Sequence, residues 1–141
     1  MQQRLSFITL GVKDLETTKN WYKNNFGWTP MKDSDGIVFF KLNSIIFGLF
    51  PEDELAEDIH IKNDGAGFKR MSLAINVNSE KEVDDLFNDF KKKGVTIVRA
   101  PEKVFWGGYR GYVADNEHNY WEFAYNPFLE MDKEGNISSH K

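Results

Sequence analysis

Apolar and polar positions alternate along 4–12, RLSFITLGV, well enough to predict a strand, and the period then lengthens. Asp14 offers an N-cap, Leu15, Tyr22 and Phe26 recur at helical spacing, and Gly27 suits the position that closes a helix. After the turn-rich stretch TPMKDSDG, the runs IVFFKL and IIFGLF flank Asn43-Ser44 and predict a hairpin that Pro51 stops. Residues 52–68 read as a connector, EDELAED as a short acidic helix and IHIKNDGAG as loop. RMSLAINV then predicts a strand over 70–77. Ser79 and Glu82 form a capping box, with Glu82 reaching back, and Val83, Leu86, Phe87 and Phe90 line one face of a helix that Gly94 ends. VTIVRA predicts a strand broken at Pro101. Two more strands fall within 109–114 and 119–125, about the turn ADNEHN. In the tail, 128–141, a tight turn from Asp132 to Gly135 lets FLEM and NIS form a small hairpin, with a frayed end.

The order strand, helix, three strands or nearly so occurs twice, which makes the chain an internal repeat of α+β class. Phe7 set on Ser72 aligns Leu10 with Ile75, Val12 with Val77, and cap Asp14 with cap Ser79. Further on, NSIIFGLFP lies on NYWEFAYNP, which places Ile46 on Glu122, Phe47 on Phe123 and Pro51 on Pro127. The two modules span about 4–51 and 69–127 of a chain, 1–141, that has the length of one domain.

Composition narrows the function classes. There is no cysteine, so disulfides, thiol nucleophiles and sulfur-bound zinc are excluded. The 18 basic residues against 22 acidic ones form no long basic stripe, and Lys91 to Lys93 closes a predicted helix, where cations suit the dipole. Nucleic acid is not an expected partner. The N-terminal stretch carries neither a signal-peptide pattern nor a membrane span, so the expectation is a cytoplasmic protein. No GxxxxGK[ST], GxGxxG or GxSxG motif is present.

The stretches ITLGVKDLETTKNWYKNNFGW and GYVADNEHNYWEFAYNP, on a two-module repeat, resemble the vicinal-oxygen-chelate superfamily of glyoxalases, bleomycin-resistance proteins and extradiol dioxygenases. That resemblance implies two βαβββ modules whose mixed sheet curls into a cup with helices packed outside. It also implies metal ligands on the first and last strands of each module. Carried over, those places hold Phe7 and Ile46 in the first module and Ser72 and Glu122 in the second. Only Glu122 is a strong ligand, where a divalent transition ion needs about three or four donors. His118 sits in a predicted turn, His60 in the connector and His140 in the tail. The expectation is therefore no metal and no other cofactor.

Alternation puts Tyr120, Glu122 and Ala124 on one face, toward the cup, and Trp121, Phe123 and Tyr125 on the other, against a helix. A carboxylate so placed needs a cation or hydrogen-bond donors. Arg110, Ser72 and Thr9 are candidates. Arg110 and Tyr112 share one face of the preceding strand, and Tyr109, Gly111 and Val113 the other. The turn length leaves open which set joins Glu122. Trp106, Tyr109 and Tyr112, around the pair Gly107-Gly108, are candidates to stack on a planar ligand, and Asn76 shares a face with Ser72. The ligand-binding set is thus Phe7, Thr9, Ser72, Asn76, Trp106, Tyr109, Arg110, Tyr112, Tyr120 and Glu122, with Glu122 also the one candidate catalytic residue. These point to a metal-independent binder of a planar or aromatic small molecule. The alternatives are a lyase or dioxygenase with a non-standard metal site and a metal-free acid/base enzyme using Glu122. The resemblance further implies a homodimer.

Overall fold

The computed structural model describes residues 1–32 and 36–140, with His140 by its backbone alone. The centre of the turn-rich stretch, Asp33 to Asp35, lies outside the described residues, as do Lys141 and the side chain of His140. The chain divides into two compact units, Met1–Gly67 and Phe68–Lys141. Among the described residues no helix is long and apolar enough to cross a membrane.

Unit 1 runs β1 (Phe7–Val12), α1 (Leu15–Asn25), β2 (Val38–Lys41), β3 (Ile46–Pro51) and α2 (Glu52–Ile59). Its sheet has the order β1-β3-β2, with β1 parallel and β2 antiparallel to β3. The Thr17 amide donates to Asp14 Oδ1 at 3.0 Å, and Gly27 closes α1 at φ +70°. The fully buried Tyr22 then anchors α1 to the sheet, 5.2 Å from the Phe47 ring and stacked 5.8 Å from Trp28.

One expectation for this half changes. The first module has two strands after its helix among the described residues, not three. Among the described residues ahead of β2, Met31 N donates to Phe39 O at 2.7 Å and Ile37 forms a lone bridge, and the left-handed Gly36 (φ +77°) suits no longer ladder. The first part of the connector forms the short acidic helix expected of it, α2. A side chain on Gly11 would meet Glu52 Cβ at 3.1 Å, so α2 lies close on β1, with Ala56 buried.

Unit 2 runs β4 (Ser72–Val77), α3 (Glu80–Lys92), β5 (Thr96–Lys103), β6 (Tyr109–Ala114) and β7 (Tyr120–Tyr125), then the hairpin of β8 (Leu129–Met131) and β9 (Ile137–His140). The sheet order is β4-β7-β6-β5. Ser79 Oγ accepts from the Glu82 amide at 3.1 Å, while Glu82 Oε2 accepts from the Asn78 amide at 2.6 Å, one residue before the cap. Val83, Phe87 and Phe90 are buried, and the Phe90 ring lies 5.0 Å from Phe123. Gly111 makes this approach possible, since a Cβ there would stand 2.5 Å from Phe87 Cζ and 2.8 Å from the Arg99 carbonyl oxygen.

Pro101 does not break β5. The strand runs through it, with register shifts between Ile97 and Arg99 and between Arg99 and Glu102. As the edge strand, β5 carries a proline without losing an inner ladder bond.

The turns DNEHN and DKEGN share one construction. In each, the first Asp Oδ1 accepts from the amides two and four residues on, at 2.8 to 2.9 Å, and its Oδ2 accepts from the Asn side chain. The fourth residue is left-handed, His118 at φ +61° and Gly135 at φ +82°.

Candidate functional site

The turn Asp115–Asn119 decides the facing that alternation leaves open. It pairs Ala114 with Tyr120, which sets Tyr112 opposite Glu122 and Arg110 opposite Ala124. On the other side of β7, Ser72, Ala74 and Asn76 stand beside Tyr120, Glu122 and Ala124. Because Trp121 and Phe123 are the buried residues of β7 that face α3, these residues share the opposite face of the sheet.

Glu122 finds its donor there. The Tyr112 hydroxyl donates to Glu122 Oε2 at 3.0 Å. Burial first, and then this bond to a carboxylate, raise the Tyr112 pKa, so the phenol stays protonated near neutral pH. Arg110 goes elsewhere. It pairs with Glu102 at 3.2 Å and lies over the Tyr112 ring at 5.6 Å. Glu102 also pairs with Arg99 at 2.6 Å, and the hydrogen bond from Arg110 followed by the charge of Arg99 lowers its pKa.

Beside this pair lies a hollow of about 420 Å³ within unit 2. Phe68, Met71 and Val98 and the rings of Tyr112 and Tyr120 supply its walls, and Arg70 and Ser72 its polar groups. Its volume falls within the range of small-molecule sites, roughly 300–1,000 Å³. Lys69 pins the segment that carries Phe68 and Arg70, with Nζ donating to Asn119 Oδ1 at 2.8 Å.

The remaining candidates from the sequence are placed differently. Tyr109 is opposite Tyr125, on the α3 face, and its hydroxyl donates to Asp84 at 2.5 Å. That bond raises its pKa to about 12. Trp106 lays its ring over Gly108, where any Cβ would overlap it. Phe7 and Thr9 belong to unit 1, Phe7 with its ring edge-on to Phe39 at 5.9 Å and Thr9 beside Gly48. Asn76 stands beside Ala124. Sequence reasoning missed Phe68, Lys69, Arg70, Met71 and Val98. The available signal was a pair of apolar residues, Phe68 and Met71, set around two cations between a glycine-rich loop and a strand.

The ladders also correct the internal alignment. Phe7 pairs with Ile46 and Ser72 with Tyr120, so Ile46 is the counterpart of Tyr120, and the counterpart of Glu122 is Gly48. The alignment by sequence slips by two residues. An even slip keeps every side chain on its face, so the hydrophobic pattern could not reveal it. In unit 1 the equivalent trio is therefore Thr9, Gly48 and Phe39, against Ala74, Glu122 and Tyr112 in unit 2.

Neither trio fits a divalent transition metal. One carboxylate beside a protonated phenol falls short of the roughly three to four N, O or S donors such an ion takes. Among the described residues no three His, Asp or Glu side chains gather as a ligand set. His60 and His118 occupy left-handed loop positions.

Comparison with known proteins agrees with the two ladders. Residues 4–123 match the family model of the Glyoxalase/Bleomycin resistance protein/Dioxygenase superfamily. The chain is 31% identical to a glyoxalase-related enzyme from Fulvimarina pelagi, with a TM-score of 0.86 over 99% of this chain and 100% of that one. A family member from Nocardioides superposes with a TM-score of 0.80 at 17% identity, over 89% of this chain and 84% of that one. A lactoylglutathione lyase from Agrobacterium tumefaciens does so at 0.71 and 19%, over 89% and 95%. No curated protein matches the sequence. The chain belongs to the Glyoxalase/Bleomycin resistance protein/Dioxygenase superfamily.

Proposed function

We propose that this superfamily member binds a planar small molecule in the hollow of unit 2, and that it does so without a metal ion. The observation that carries the reading is the hydrogen bond from Tyr112 to Glu122, which occupies the carboxylate of the last strand with a phenol. The adjoining hollow supports it, with aromatic and aliphatic walls and a few polar groups. Binding by stacking and apolar burial needs nothing beyond these side chains.

Two measurements test this. Equilibrium dialysis against nickel, zinc, iron and manganese is expected to leave less than stoichiometric metal on the protein, and one tightly held ion per chain sinks the metal-free reading. A thermal-shift screen of planar compounds is expected to yield stabilisers whose effect weakens in Ser72→Leu and Val98→Asp. If no compound raises the melting temperature, there is no binding site to explain.

The same hydrogen bond supports a second reading, metal-free acid/base chemistry. A protonated phenol and a carboxylate at 3.0 Å can give and take a proton in turn. Because one structural neighbour is a lactoylglutathione lyase, the hemithioacetal of methylglyoxal is a suitable first substrate. Turnover lost in Glu122→Gln would favour this reading, and no turnover in the wild type would leave binding alone.

A further inference from the structure

We infer that the ligand of this hollow is a planar carboxylate, with an aromatic or other flat apolar body, and that Arg70 holds its acid group. The inference rests on the binding reading above and adds the sign of the ligand's charge. Glu122, a ligand-binding candidate from the sequence, does not line the hollow, and the Tyr112 hydroxyl already bonds one of its oxygens.

The cations around the hollow are otherwise engaged. Arg99 and Arg110 share Glu102, at 2.6 and 3.2 Å. Lys69 donates to the side-chain oxygen of Asn119. Arg70, among the described residues, makes no hydrogen bond and no ion pair, and it lines the hollow. The side-chain hydroxyls of Ser72 and Tyr120, also in the lining, are likewise uncommitted among the described residues. A guanidinium sharing a lining with two hydroxyl-bearing side chains is a donor set for a carboxylate, because its parallel N–H groups match the two oxygens. Phe68, Met71 and Val98 then meet the ligand's apolar body.

The backbone adds an independent observation. Arg70 sits at φ +57°, a left-handed conformation that any residue with a Cβ adopts at a steric cost glycine does not pay. The lysine before it is clamped to Asn119, which fixes the turn that carries the guanidinium.

The test uses three isosteric probes on the full chain, by isothermal titration: naphthalene carboxylate, its carboxamide, and naphthylmethylammonium. The carboxylate is expected to bind at least about tenfold more tightly than the amide, as one charge-assisted pair supplies, and the ammonium most weakly. Arg70→Gln is expected to bring the carboxylate down to the amide's affinity and leave the amide unchanged. Arg70→Gly is expected to lose the same preference without lowering the melting temperature, which separates a ligand role from a structural one. Tighter binding of the ammonium or the amide overturns the inference and leaves the binding reading intact. So does a carboxylate preference that survives in Arg70→Gln. If none of the three binds while other planar compounds do, the carboxylate assignment alone falls. If nothing binds, the assignment falls together with the reading beneath it.

Discussion

In unit 1, strands β1, β3 and β2 bring Thr9, Gly48 and Phe39 side by side, and in unit 2, β4, β7 and β6 bring Ala74, Glu122 and Tyr112 into the same three places. The ladders are alike, parallel on one side and antiparallel on the other, yet the chemistry diverges. Gly48 has no side chain, and the Phe39 ring lies over the gap, 3.3 Å from where a Cβ would be. Phe7 packs against that ring. In unit 2 the middle place carries a carboxylate, and the neighbouring ring gains one hydroxyl that bonds it. One module has filled the place with hydrocarbon and the other has kept a polar group and matched it with a donor. Both solutions leave no buried side-chain nitrogen or oxygen without a partner among the described residues.

The helix-facing sides diverge in the opposite sense. Val38, buried opposite Leu49, is the counterpart of Gly111, opposite Phe123. Phe87 of α3 reaches the sheet itself at Gly111, whereas unit 1 seals its helix with Tyr22 and a cluster of rings. Size at one position is exchanged for size on the helix.

Exchanging residues between the counterparts tests these statements. The largest effect is expected from Gly111→Val, which drives a side chain into Phe87 and the Arg99 carbonyl and should cost about 3 kcal/mol in chemical denaturation. Val38→Ala, which only opens space, is expected to cost about 2 kcal/mol. Equal tolerance of both would mean that Phe87 does not approach as closely as described. Next comes Gly48→Glu, which buries a carboxylate under Phe39 and should cost about 2 kcal/mol or more. Adding Phe39→Tyr copies the unit 2 pair into unit 1 and should recover about 1 kcal/mol in a double-mutant cycle. Zero coupling would show that the two trios are not equivalent. Tyr112→Phe leaves Glu122 without its donor on a half-exposed face and is expected to cost about 1 kcal/mol.

The smallest effect is one of pH. Tyr109 and Tyr112 both have raised pKa values, to about 12 for Tyr109. Below the unfolded tyrosine pKa, roughly 10, both are protonated in either state, and their contribution to stability is complete. Above it the unfolded chain releases its protons first, so stability falls as the pH rises toward the folded values. Tyr109→Phe is expected to flatten that decline. Alkaline denaturation curves that coincide for wild type and variant would contradict the Asp84 bond as its cause.

Much of the local structure was readable from the residues. Asp14 and Ser79 cap the helices expected of them, Gly27 and Gly94 close them with positive φ, and the tail forms its small hairpin. The caps, and the turn that starts the hairpin, depend on residues within about four positions of one another, so the signal and the structure share a short range. Pro101 misled because a proline ends an inner strand but not an edge one, and edge position is a property of the sheet. The site was legible only in part. Glu122 could be singled out as an acid in an apolar strand, while its partner depended on how the five-residue turn set β6 against β7.

The sequence by itself determined the repeat, the helix ends and which face each strand residue takes, because period and capping are local and the alternation survives any even shift of register. Only the tertiary structure decided that Glu122 answers to Gly48 and not to Ile46, that Tyr112 and not Arg110 is its donor, and that Arg70 meets Val98 and Tyr120 around one hollow. Those facts join residues ten or more positions apart, and no pattern along the chain carries the ladder register or the turn geometry that brings them together.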